Sequence, residues 1–203
     1  MKEYALLTFS SLFAIVDPFA AIPTFLAMTA RANFETRRHT ARTACLVCWL
    51  VLSAFAALGP LLFRMMNITL AAFQIAGGLV LLLSALDMLR AQKSPLRETP
   101  EETEEGMGKQ DIAVTPLAVP MLAGPGAITT AIVLNGHATD WGRTAIFFAI
   151  IAIVSALTYF ILTAAARGAR RFPSTLLNIV TRLMGLLLAA IGVQFILTAL
   201  KIA

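Results

Sequence analysis

Charged residues, histidine and cysteine are scarce in this chain, and each shortage excludes a class of protein. Only 13% of the 203 residues are charged and 59% are hydrophobic, whereas soluble domains are about 25% charged. Two histidines, both in predicted loops, leave no nucleophile–base pair or metal-ligand cluster inside the apolar stretches, which argues against an enzyme or a metal site. Basic residues do not interleave with aromatics, so no nucleic-acid partner is expected.

What is present is a series of long apolar stretches, each exceeding the roughly 18 residues that identify a membrane-spanning helix. They predict an all-α membrane protein of six transmembrane helices. A polar segment at 92–110, with two prolines and four clustered glutamates, predicts a flexible linker between repeats of three helices at 1–91 and 111–203. The stretches lie at 4–29, 43–63, 68–89, 112–134, 144–166 and 175–200.

The net charge of +5 is distributed as membrane topology requires. Because positive loops stay in the cytoplasm, the gaps after spans one, three and five are predicted to be cytoplasmic and both termini periplasmic. Those gaps hold Arg31, Arg37, Arg38, Arg42, Arg90, Lys93, Arg97, Lys109, Arg167, Arg170 and Arg171, against Lys2, Arg64, Arg143 and Lys201 on the other side.

A proline-broken motif occurs in both halves, at 17–23 and at 120–126, with two prolines five positions apart in each. We expect these prolines to break helices one and four and new half-helices to begin near Thr24 and Ala127. Pro18 aligns with Pro120, and each half has an odd number of spans. Together these two observations predict two inverted repeats. Broken helices at matching positions of such repeats are where transporters bind their solute.

The second half-helix presents free N–H groups to a carboxylate, with Thr129 adding a hydroxyl. Asp17, an acid within a span, is expected to hold an ammonium or a coupling ion, or to cap the helix. Arg182 either snorkels to the cytoplasmic face or points inward. The candidate substrate-binding residues are Asp17, Pro18, Pro23, Thr24, Gly124, Pro125, Gly126, Ala127, Thr129, Thr130 and Arg182.

Several segments together resemble the MarC family of integral membrane proteins. The segments on which the resemblance rests are Thr115–Pro120 with Ala123–Gly126, Arg182–Gly185 leading to Gly192–Ile196, and, in the first half, Asp17–Pro18 and Ile75–Gly78. The resemblance implies a multi-pass protein of a bacterial or archaeal cytoplasmic membrane. Some members of that family are described as transporters of small neutral amino acids.

The sequence therefore predicts a secondary transporter of small neutral amino acids or similar solutes in the bacterial inner membrane. No cofactor is expected, and a coupling proton or sodium ion is left open. The expected partners are the lipid bilayer and the solute, and an oligomer is compatible with the sequence. The alternative is a membrane scaffold or accessory protein without a transported substrate, in which the prolines serve only packing.

Overall fold

The chain is helical throughout the part that its computed structural model describes, namely residues 1–30, 32–90, 112–138, 140–168 and 174–202, and no β-strand occurs there. The predicted linker at 92–110 lies outside the described residues. The helices are α1 Lys2–Val16, α2 Pro18–Met28, α3 Phe34–Met66, α4 Leu70–Leu89, α5 Ala113–Leu122, α6 Pro125–Gly136, α7 Trp141–Arg167 and α8 Ser174–Ile202.

The membrane-spanning character that the composition predicts is confirmed. Five helical segments of the described chain are long and apolar enough to cross a bilayer, α1 and α2 counting as one, and the bent pair α5–α6 brings the number to six. The axes of α5 and α6 differ by 59°. Within α5 the backbone leaves helical geometry at Thr115 and Val119, each of which precedes a proline, as the steric effect of proline on its preceding residue requires.

The two ends of the molecule are defined by contacts between helix termini. At one end, the Arg167 guanidinium lies 5.2 Å from the ring centre of Phe34. At the other, the Tyr4 hydroxyl donates to the Leu134 carbonyl at 3.0 Å, and the Arg143 guanidinium lies 5.7 Å from the Tyr4 ring centre. The first, here called the basic end, carries Arg37, Arg38, Arg42, Arg90 and Arg167.

The packing interleaves the two halves of the chain. Helix α3 lies against α5 and α6, whereas α7 lies against α1 and α2. Helices α4 and α8 form the most extensive contact and run antiparallel. A Cβ on Gly78 would lie 2.7 Å from the Gly192 carbonyl oxygen, and one on Gly185 would lie 3.1 Å from that of Ala85. At these positions glycine therefore permits the close approach of α4 and α8.

Two helix boundaries differ from the sequence prediction. The first half-helix does not begin near Thr24: α2 begins at Pro18 and contains Pro23, because a proline at the first helical position costs no hydrogen bond. Helix α3 begins at Phe34 rather than 43, since helical backbone continues beyond the apolar run; the Asn33 side chain caps it by accepting from the Thr36 N–H at 2.8 Å.

Candidate functional site

The first helix break is made by one residue, Asp17, which is fully buried. Its backbone is left-handed, with φ 47° and ψ 69°, a region that Asp and Asn enter more readily than most residues. This conformation ends α1 and lets α2 start at Pro18. The Asp17 carboxylate then accepts the N–H of Ala20 at 3.2 Å, so a carboxylate already occupies the N-terminus of α2, as expected for a cap.

Pro23 adds a second effect inside α2. It has no N–H to offer to the carbonyl one turn earlier, so the Phe19 carbonyl lacks its helical donor. The Pro23 ring itself is exposed. The first break therefore places an acid and a released carbonyl within the same two turns, which is a setting for a cation rather than for an anion.

The second break is built from backbone. Gly124 is extended, with φ −76° and ψ 173°, and Pro125 starts α6, whose N-terminus has no hydrogen bond from a capping side chain. The Ile128 N–H donates to the Gly124 carbonyl at 3.0 Å. The N–H groups of Gly126 and Ala127, which precede Ile128 in the first turn, lack an intrahelical acceptor.

Glycine is required at position 124 by a close approach of the chain to itself. A Cβ there would lie 2.6 Å from the Pro120 carbonyl oxygen. Since that atom belongs to the backbone, any side chain at position 124 displaces the segment that precedes α6. The uncapped start of α6 therefore depends on glycine at position 124, a residue without a side chain.

The two breaks adjoin. A Cβ on Gly126 would lie 2.6 Å from Leu81 Cδ2 and 3.8 Å from Cγ2 of Ile15, which is two residues before Asp17. A cavity of about 20 Å³ lies here, enough for about one water molecule. Its lining comes from α1, α4, α5, α6 and α8: Ile15, Leu81, Ser84, Met121, Gly124, Pro125, Gly126, Ala127 and Leu188.

The predicted threonines lie on the half-helices but face different surroundings. The Thr129 hydroxyl donates to the Pro125 carbonyl at 2.8 Å, and its methyl group packs so closely on Gly77 that a Cβ there would collide with it. Thr130 is fully buried, and its hydroxyl has no hydrogen-bond partner among the described residues. Thr24 is buried on α2.

Arg182 is not brought to the breaks. It is exposed on α8, one turn before Gly185, which packs against Met88 near the basic end of α4. Leu188, the residue of α8 that lines the cavity, is almost two turns further along the helix. This placement corresponds to the first of the two alternatives for Arg182, a long side chain extending toward the basic end.

Sequence reasoning missed Ser84, Leu81, Ile15 and Leu188, which complete the cavity. Ser84 is a buried polar side chain two turns after Gly77 on α4, so the shared helix face was a signal that could have identified it. The other three are ordinary apolar residues of apolar helices, and nothing in their spacing distinguishes them from the rest of the core.

Comparison with known proteins places the whole chain among related membrane proteins. Residues 2–203 match the model of the MarC family of integral membrane proteins. A UPF0056 membrane protein of Aquifex aeolicus is 37% identical over 206 residues, covering 99% of this chain and 95% of the relative. One from Methanocaldococcus jannaschii is 38% identical, covering 98% and 97%, and one from Escherichia coli 33%, covering 95% and 90%. No solved structure matches.

Proposed function

Since this chain belongs to the MarC family of integral membrane proteins, we propose that it is a secondary transporter of small neutral amino acids or similar small solutes across the bacterial cytoplasmic membrane. One observation carries the proposal: two half-helices begin within the apolar part of the molecule, at Pro18 and Pro125, and the start of the second lies against the end of α1. Non-helical backbone at membrane depth is tolerated where it is buried in protein or lines a cavity.

The architecture that we propose is a pair of inverted three-helix repeats. Its support is a nearly constant spacing: the prolines that start the half-helices, Pro18 and Pro125, are 107 positions apart, and Gly77 and Gly185 are 108 apart. In this proposal Pro18 corresponds to Pro125, and not to Pro120 as the sequence alignment predicted. The antiparallel α4–α8 contact, and the packing of α3 and α7 each on the other half's broken helix, are what an inverted pair predicts.

A zwitterion suits the two breaks because the first carries a negative charge and the second the partial positive charge of a helix N-terminus. Its carboxylate would accept from the N–H groups of Gly126 and Ala127, where the helix dipole favours negative charge. Its ammonium would lie near the Asp17 carboxylate and the Phe19 carbonyl. Small buried neighbours favour a small side chain, with Ala21 and Ala123 each 1% exposed.

Alternating access follows from the size of the cavity. About 20 Å³ is too little for an amino acid, so binding requires the two repeats to move apart. We propose rocking of one repeat against the other, driven by a proton or sodium gradient or by the solute's own gradient, without a chemical step. We propose that the basic end lies in the cytoplasm and both termini in the periplasm, and the arginines of that end support this orientation.

Counterflow of labelled glycine and alanine in liposomes tests the proposal. Asp17→Asn removes the charge but keeps a residue that caps helices, and Gly126→Ala places a methyl group in the cavity against Leu81. Each should lower exchange at least about tenfold, the loss expected for a charge-assisted contact. Gly136→Ala, at the far end of α6, is the matched control and should exchange like the unchanged protein.

One result would contradict the transporter, and a second would contradict the role of the breaks in it. Absence of saturable exchange of any small solute by folded protein would favour the scaffold alternative. Exchange that both variants retain at the level of the Gly136→Ala control would leave transport standing but remove the breaks from it.

A further inference from the structure

A groove of about 660 Å³ lies between α3 and α7 at the basic end, and it shares no lining residue with the cavity at the breaks. Its mouth is formed by charged and polar residues of the first turns of α3, Glu35, Arg38, His39 and Arg42. Its size is within the range of small-molecule sites, about 300–1,000 Å³. The groove is therefore a second binding surface with a chemistry of its own.

The side chains at the mouth of the groove are arranged so that they can bind a phosphate group. Arg38 Nε donates to the Tyr159 hydroxyl at 3.1 Å, which joins α3 to α7. This bond leaves the terminal guanidinium nitrogens of Arg38 available, and planar guanidinium groups bind phosphate through paired hydrogen bonds. Arg42 follows one helical turn later on the same wall, and its charge acts on the same tyrosine.

Below the mouth the groove becomes apolar and remains open to the outside. Leu46 and Trp49 form this part of the α3 wall and are 49% and 37% exposed, and Ala152 and Ala156 of α7 face them. Side chains of this kind at membrane depth contact hydrocarbon. A soluble anion would use the mouth and leave this lower part unexplained.

The length of the groove matches one leaflet of a bilayer. From Glu35 to Trp49 the α3 wall rises about 21 Å at 1.5 Å per residue. Half of a bilayer of 40–45 Å, headgroups included, measures roughly 20–22 Å. The charged mouth thus coincides with the headgroup layer, and the apolar wall with the acyl chains below it.

We propose that this groove binds an anionic phospholipid from the leaflet at the basic end. The phosphate is held by Arg38, Arg42 and the Tyr159 hydroxyl, and one acyl chain lies along Leu46 and Trp49. Each basic residue near an anionic membrane surface strengthens the association about fivefold. Because Glu35 offsets one of the two arginine charges, the expected preference for an anionic over a zwitterionic lipid is about fivefold.

The two tryptophans of the chain provide the test. Trp49 lines the groove, and Trp141 begins α7 at the opposite end. In Trp141→Phe protein, brominated phosphatidylglycerol should quench Trp49 fluorescence with about five times the association constant of brominated phosphatidylcholine. Arg38→Gln/Arg42→Gln leaves Glu35 without the two arginine charges and should bring the ratio below one. Arg64→Gln, a matched loss of charge at the other end of α3, should leave it unchanged.

Glu35→Gln tests the same proposal in the opposite direction and does not depend on the fold of the double variant. Removing the opposing charge should raise the ratio about fivefold further. In Trp49→Phe protein, Trp141 should be quenched equally by both lipids, which establishes that the preference belongs to the groove.

Three outcomes would overturn the proposal. Equal quenching of Trp49 by the two lipids would show that the groove has no preference for the anionic headgroup. Loss of the preference on adding inorganic phosphate would mean that the mouth takes a soluble anion. Protection of Trp49 from both lipids that grows with protein concentration would mean that a second copy of the chain covers the groove.

Discussion

The two helix breaks occupy corresponding places in the chain and are built in opposite ways. At the first, a buried carboxylate in a left-handed conformation caps the helix that follows, through the bond from Ala20 N–H to Asp17 at 3.2 Å. At the second, Gly124 has no side chain, and the helix that follows begins with uncapped N–H groups. The first break brings its own anion, and the second leaves an anion to be supplied.

In the transporter that we propose, this difference would let two similar breaks bind the two ends of one zwitterion. A helix N-terminus attracts negative charge, so two identical breaks would compete for the carboxylate and leave the ammonium unmatched. Because Asp17 already neutralises the start of α2, the net character of the first break is acidic. Three changes test this contrast between a side-chain break and a backbone break.

The largest effect is expected from Gly124→Ala, because the second break has no side chain that can adjust. The new Cβ would lie 2.6 Å from the Pro120 carbonyl oxygen, so the backbone before α6 must move. We expect loss of solute exchange by more than about tenfold and a loss of about 1–3 kcal/mol in the free energy of unfolding, the usual cost of overpacking.

Counterflow and thermal unfolding of the same protein measure the two effects of Gly124→Ala. The control is Gly136→Ala on the same helix, where the nearest atom to the new Cβ is the flexible end of Leu70 at 3.0 Å. If Gly124→Ala exchanged solute and unfolded like this control, the second break would not depend on glycine.

A smaller effect is expected from Gly77→Ala, which acts on α6 from α4. The added methyl group collides with Thr129 Cγ2, and the resulting overpacking should cost about 1–3 kcal/mol while the start of α6 keeps its backbone. Thr129→Ser in the same protein removes that methyl group and should restore part of the stability, as measured by thermal unfolding. A double variant no more stable than Gly77→Ala would show that the two residues are not coupled.

The sequence was sufficient for the parts of the fold that depend on apolar length and on proline. It predicted the apolar spans and an interruption of the helix within each of the two proline motifs. It could not distinguish Pro18 from Pro23, because a proline that starts a helix and one tolerated inside it look alike in sequence. The left-handed conformation of Asp17, which lets α2 begin at Pro18, is one that Asp enters more readily than most residues but does not always adopt.

The candidate site was predicted less completely for a related reason. Residues that carry a chemical signature, such as Asp17 and Gly126, were identified from their type. Those that enclose the cavity from α1, α4 and α8, such as Ile15 and Leu188, are apolar residues among many. Their role comes from contacts between distant parts of the chain, which no spacing within one helix encodes.

The smallest effect on stability is expected from Asn or Gly at position 17, because several side chains meet the two demands of the first break. Position 17 needs a residue that enters left-handed backbone and one that accepts the Ala20 N–H. Asn meets both demands, and Gly meets the first and loses only a few tenths of a kcal/mol as a cap. Ala meets neither, and should lose about 1 kcal/mol for the cap and about 1–2 kcal/mol for the backbone.

Denaturant unfolding should therefore rank Asn and Gly close to Asp and Ala clearly below, although all three lack the charge that we propose for transport. Equal stability of Ala and Gly at position 17 would mean that the first break is held by the packing around it rather than by its own residue, and the contrast with Gly124 would then lose its physical basis.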